Sequence, residues 1–107
     1  MMNHVSIGKY KDEGAKIFTD RDRGVAARKE LDLDELEKKG LVTVLLPEDT
    51  WGVNPSFFGG MFETSIKSMK TSFYENYDFK YTDGTEISDS LKRNIQDDFE
   101  YVMRGFN

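Results

Sequence analysis

The pattern of apolar and polar positions predicts strands that alternate with helices. Residues 3–10 alternate apolar with polar side chains and predict a first strand, and residues 15–19 predict a short second strand that returns as a hairpin. Residues 41–46 form a nearly continuous apolar run ended by Pro47, which indicates a central strand buried on both faces of a sheet. Alternating aromatic side chains at positions 77–81 predict a further strand.

Four segments have the composition or spacing of helices. Residues 25–31 are rich in good helix formers, and residues 32–40 carry acidic residues in the first turn and lysines in the last. A helix that begins at Asn54 and another that is capped at residues 88–90 each have apolar side chains at helical spacing. These series are Phe58, Met61, Phe62, Ile66 and Met69 in the first helix, and Leu91, Ile95, Phe99, Val102 and Met103 in the second.

The order of these elements predicts an α/β fold. We expect a single-layer mixed β-sheet of about four strands covered by helices, with the central strand joined to the strand at residues 77–81 by a right-handed crossover. A chain of 107 residues buries one core, so residues 1–107 are expected to form a single domain.

The charge balance and the absence of cysteine restrict the chemistry. The chain has 20 acidic and 15 basic residues, a formal net charge of -5, one histidine and no cysteine. These counts exclude disulfides, cysteine nucleophiles and cysteine-based zinc sites, and they disfavour direct binding to nucleic acid. No stretch is apolar enough to span a membrane. We therefore expect a cytoplasmic protein without cofactor, metal ion or catalytic residue, since the lone His4 lies beside the chain end.

Several local signals coincide at the start of the helix that follows residue 53. Asn54 is a favoured N-cap, and Pro55 suits the first helical position. This start places the Ser56 hydroxyl near unpaired backbone N–H groups and the positive end of the helix dipole. Ser56 is therefore a candidate phosphorylation or anion-binding site, and the alternative is an ordinary serine of a capping turn.

The aromatic residues near this helix start suggest a contact surface. Trp51 lies in the preceding loop and Phe57 lies off the main apolar stripe of the helix, so both are candidates for an exposed partner-binding patch. The alternative for Trp51 is that it folds back over the end of the central strand. Gly59 and Gly60 inside the helix predict that its backbone packs tightly on the sheet.

Residues 50–62 resemble the STAS-like family of small bacterial and phage-associated proteins of unknown function. Members of that family carry a Thr-aromatic-Gly turn, a Ser-Ser-Phe helix start and a downstream phenylalanine. The positions in this register are Thr50, Trp51, Gly52, Ser56, Phe57 and Phe62. More distantly, the layout is similar to the STAS domains of anti-sigma-factor antagonists, in which a serine aligned with Ser56 is phosphorylated by an ATPase-type kinase. Asn54 stands where those domains have aspartate.

The resemblance implies a non-enzymatic regulatory module that binds a protein partner, with an ATPase-type kinase as one candidate. The implied contact residues are Thr50, Trp51, Asn54 and Phe57 around Ser56. A second hypothesis rests on the net charge of -5: an acidic inhibitor of a host nucleic-acid-binding protein, encoded by a phage or mobile element. The sequence leaves the oligomeric state open.

Overall fold

A computed structural model describes residues 3–106 and shows an α/β fold. The strands are β1 (Asn3–Ser6), β2 (Ile17–Phe18), β3 (Val42–Leu46), β4 (Gly52–Val53) and β5 (Tyr77–Tyr81). The α-helices are α1 (Arg21–Glu30), α2 (Leu33–Lys39), α3 (Pro55–Met69), α4 (Phe73–Asn76) and α5 (Asp89–Arg104). Short 3-10 helices lie at Gly8–Tyr10 and Lys70–Ser72.

The strands form two parallel sheets, of order β1-β3-β5 and β2-β4, in place of the predicted single mixed sheet. The hairpin prediction is wrong. Val5 of β1 lies opposite Val44 of β3, and Phe18 of β2 lies opposite Val53 of β4. Alternating polarity identifies a strand, but its partner depends on where the connecting helices carry the chain, so polarity alone does not specify the partner of β1 or of β2.

The central strand β3 is buried on one face only. Val42, Val44 and Leu46 are buried, whereas Thr43 and Leu45 on the other face are half-buried. In the order β1-β3-β5, each strand lies on the same side of the strand before it. Right-handed crossovers between strands in such an order place their helices on the same face of the sheet. The prediction that β3 is buried on both faces is therefore wrong.

Helix α3 packs buried aromatic side chains against the sheet. Its predicted start at Asn54 is confirmed, and Phe58 and Phe62 are buried against Phe73 and Phe79. The ring centroids of Phe62 and Tyr77 lie 5.1 Å apart, which joins α3 to the first residue of β5. This aromatic cluster fixes α3, and with it the helix start that the sequence singles out.

Two glycines let α1 and α3 cross in backbone contact. A Cβ atom on Gly60 would lie 2.2 Å from the carbonyl oxygen of Arg21, and one on Gly24 would lie 2.2 Å from the carbonyl oxygen of Phe57. The predicted close packing at Gly60 is therefore present, but the surface it meets is helix α1 and not the sheet.

An ionic network ties α1, α2 and α3 together. Arg28 donates hydrogen bonds from Nη1 to Ser65 Oγ at 2.8 Å and from Nη2 to Glu37 Oε1 at 3.4 Å. The hydroxyl of Ser65 in turn donates to Glu37 Oε1 at 2.6 Å. Arg28 also pairs with the exposed carboxylate of Asp34 at 2.6 Å. The side chains of Arg28 and Glu37 are only 13% and 11% exposed, so the Glu37 carboxylate depends on Arg28 for its counter-charge.

We expect Arg28→Met to lower the free energy of unfolding by about 2 kcal/mol, because it leaves the Glu37 carboxylate poorly solvated and without its cation. Arg28→Met combined with Glu37→Met should lose less stability than the single variant, since the buried carboxylate is removed and the other acidic partner of Arg28, Asp34, is 72% exposed to water. Urea denaturation followed by circular dichroism measures both. If the double variant loses as much free energy of unfolding as Arg28→Met alone, or more, the proposed role of charge pairing is contradicted.

Candidate functional site

The segment that leads into α3 is held on both sides by hydrogen bonds. The backbone N–H groups of Trp51 and Asn54 donate to the carbonyl oxygens of Lys16 (2.7 Å) and Phe18 (2.8 Å) on the β2 side. On the other side, Asn94 of α5 accepts from the Val53 N–H at 2.8 Å and donates from Nδ2 to the Val53 carbonyl oxygen at 3.0 Å. Trp51 and the start of α3 therefore occupy fixed positions.

Trp51 is the most exposed large apolar side chain of the described residues, at 70%. The alternative that it folds back over the core is thus wrong, because Val53 occupies the buried position beside β2. The Lys16 ammonium lies 5.5 Å from the centroid of the Trp51 ring and 3.7 Å from an oxygen of Asp49. A groove of about 520 Å³ runs from Trp51 along Ile17, which is 44% exposed.

Asn54 caps α3 as predicted, and Ser56 is exposed in the first turn. The Ser56 N–H donates to Asn54 Oδ1 at 2.8 Å. A second groove, of about 230 Å³, is lined by Ser56 together with Arg21, Glu63 and the 60% exposed ring of Tyr101. Arg21 forms an ion pair with Glu63 there, so the groove that Ser56 lines already contains a cation.

Two of the predicted contact residues are not at the surface. Phe57 is 1% exposed and packs against Phe18, with ring centroids 5.1 Å apart, because α3 is covered by β2 as well as by the sheet. Thr50 is 4% exposed, because its N–H closes a turn on the Pro47 carbonyl oxygen and folds its side chain inward. The assignment of Phe57 and Thr50 to an exposed contact patch is therefore wrong.

The site that remains consists of two grooves on either side of a turn in the chain. Thr19 lines the Trp51 groove and Arg21 lines the Ser56 groove, with Asp20 between them in sequence. Sequence reasoning missed Ile17, Arg21 and Tyr101 as members of this surface. The exposure of an apolar residue in a short strand depends on how the strand is paired, and no local signal reports it.

Asp98 carries a buried carboxyl group next to Asn94, the residue that holds β4. It is 2% exposed, and its hydrogen-bond partner is Asn94, whose Nδ2 lies 3.2 Å from Asp98 Oδ2. Burial raises the pKa of Asp98 to about 7, with a smaller contribution from the charge of Asp97, while the hydrogen bond from Asn94 opposes the shift. The residue that holds β4 thus contacts a carboxyl group that titrates near neutral pH.

Within residues 3–106, no three histidine, aspartate or glutamate side chains are placed to hold a metal ion. Among the same residues, every helix falls short of the length and apolar character needed to cross a bilayer. No protein-family model, curated protein or solved structure matches the chain.

Proposed function

We propose that this chain is a non-enzymatic, STAS-like regulatory module that binds a protein partner through the Trp51 groove and the Ser56 start of α3. The observation that carries the proposal is the exposure of Trp51, at 70%, on a segment held in place by backbone hydrogen bonds. Tryptophan is enriched among the residues that dominate binding energies, and a fixed backbone lowers the entropy lost on association. Ile17 beside it extends the apolar surface.

Ser56 is the proposed regulatory position, and an ATPase-type kinase is the candidate partner. Its hydroxyl is exposed at the positive end of a 15-residue helix, and Arg21 lines the same groove. A phosphate there would be stabilised by the helix dipole and by Arg21, while Glu63 would repel it. Phosphorylation would therefore transfer Arg21 from Glu63 to the phosphate and change the surface of the Ser56 groove.

The test measures binding and modification by ATPase-type kinases encoded next to this gene. We expect Trp51→Ala to weaken the complex at least about tenfold, because it removes the anchor of the interface. Leu41→Ala is the matched control, since Leu41 is 49% exposed and precedes β3, whereas Trp51 follows it. Isothermal titration gives both affinities. Equal effects of the two substitutions would reject the proposed surface.

Ser56→Asp tests the regulatory position. We expect it to weaken the same complex, and mass spectrometry should find one phosphate on Ser56 after incubation with the kinase and ATP. Ser90→Asp is the control, because Ser90 is an exposed serine in the first turn of α5. An unmodified Ser56 combined with an unaffected complex would overturn this part of the proposal. A complex that weakens steeply with salt would instead favour the acidic inhibitor.

A further inference from the structure

Helix α5 holds β4 through the side chain of Asn94. Asn94 Oδ1 accepts a hydrogen bond from the Val53 N–H at 2.8 Å, and Asn94 Nδ2 donates to the Val53 carbonyl oxygen at 3.0 Å. A Cβ atom on Gly52 would lie 2.4 Å from Asn94 Oδ1, so the amide lies directly against the strand. Residues 50–54, which we call the Trp51 segment, are therefore attached to α5 through Val53.

The amide of Asn94 also contacts the buried carboxyl group of Asp98. Asn94 Nδ2 lies 3.2 Å from Asp98 Oδ2, and Asp98 is 2% exposed. Residues four positions apart share one face of a helix, so Asp98 lies one turn beyond the residue that contacts β4. Within residues 3–106, no lysine, arginine or histidine forms an ion pair with Asp98. The neutral acid suits this position, because ionisation would place a charge out of contact with bulk solvent and beside a neutral amide.

The titratable groups around Asp98 also favour its neutral form. Burial is the main cause of its raised pKa, and the negative charge of Asp97 on the same helix adds to the shift. Tyr74 of α4 faces Asp98: burial and the charges of Glu100 and Asp98 raise the pKa of Tyr74 to about 12, so its hydroxyl is uncharged at neutral pH. Strand β4 has no titratable side chain. The ionisable side chains of α3, which also packs on α5, do not act on Asp98; they are Glu63 and Lys67.

We propose that the contact between α5 and β4 is a pH-sensitive switch: when Asp98 loses its proton, α5 and β4 separate more readily, water reaches the carboxylate and the Trp51 segment is released. Separation gives the carboxylate the hydration that it lacks in the closed state, so opening is coupled to the release of one proton. Acidic conditions therefore hold the Trp51 segment in place. The switch is a property of this chain alone. Its effect on partner binding, namely a less fixed Trp51 near neutral pH than in acid, rests on the proposed function.

Amide hydrogen exchange at Val53 tests the switch, because this N–H exchanges only when its bond to Asn94 is broken. The exchange rate, corrected for the intrinsic rate at each pH, gives the opening constant. With a folded pKa of about 7 and an ordinary aspartate pKa of about 3.9 in the open state, the constant should rise up to about tenfold per pH unit between these values. It should level off above about pH 7. Asp98→Asn should remove this rise, whereas Asp97→Asn should keep most of it.

The N–H of Val44 is the reference for unfolding of the whole chain, because Val44 is buried in β3 between β1 and β5. The switch requires Val53 to open more readily than Val44, with the stated pH dependence. Equal opening constants for the two amides at every pH would show that β4 leaves α5 only on global unfolding, and would overturn the proposal. A larger opening constant for Val53 that does not change with pH would overturn it as well.

Both comparisons use the wild-type chain, so they decide the matter even if Asp98→Asn does not fold. The kinase-binding experiment with Trp51→Ala tests the proposed function independently. A pH-independent opening of β4 together with a complex that Trp51→Ala weakens would reject the switch and leave the proposed function standing. A complex that is unaffected by Trp51→Ala, together with pH-dependent opening, would do the reverse.

Discussion

Gly60→Ala is expected to lower the free energy of unfolding by about 3 kcal/mol or more. The added methyl group would lie 2.2 Å from the carbonyl oxygen of Arg21 and 3.1 Å from the backbone nitrogen of Val25. These are backbone atoms of α1, so no side-chain rotation relieves the overlap. Helices α1 and α3 would have to separate, and the buried residues between them would lose contact. Urea denaturation followed by far-ultraviolet circular dichroism measures the loss.

Gly59→Ala is the matched control, one residue away in the same helix. Its Cβ would meet Arg21 Nη1 at 3.4 Å and Val102 Cγ2 at 3.8 Å, which are tolerable contacts with side chains. Alanine also has the higher helix propensity, so the free energy of unfolding should stay constant or rise by up to about 1 kcal/mol. Similar losses at Gly59 and Gly60 would show that the α1–α3 crossing is not the cause.

Asp98→Asn is expected to remove a pH dependence on the order of 4 kcal/mol from the stability of the wild-type chain. The folded state holds the Asp98 proton up to a pKa of about 7, whereas the unfolded chain releases it near an ordinary aspartate pKa of about 3.9. Because the folded pKa is the higher one, this group's contribution is fully present below about pH 4 and is lost as pH rises through about 7. The variant should therefore be more stable than wild type at about pH 8.

The measurement compares the free energy of unfolding of both chains at several pH values. The asparagine retains an oxygen that can accept from Asn94 Nδ2, so the contact of 3.2 Å to the residue that holds β4 is conserved in kind. Asp97→Asn is the control: Asp97 is exposed, and its charge contributes less than burial to the raised pKa of Asp98. This variant should therefore keep most of the pH dependence of stability. Parallel pH curves for wild type and Asp98→Asn would contradict the assigned pKa.

Apolar periodicity and helix caps predict correctly those elements that depend on residues close together in the sequence. The cap at Asn54 and the stripes of α3 and α5 depend on residues within a few positions of one another, and these predictions are confirmed. These local signals do not specify which strands pair with each other. The contact between Val53 and Asn94 joins residues 41 positions apart, and no spacing in the sequence reports it.

The same distinction applies to the candidate site. Local patterns predict a well-capped helix that begins at Asn54, with Ser56 in its first turn and a tryptophan before it. The packing of the whole chain sets the exposure of Trp51 and the burial of Phe57, and it pairs β2 with β4. A helix start is decided by hydrogen bonds within one turn, whereas the exposure of a side chain depends on every element packed around it.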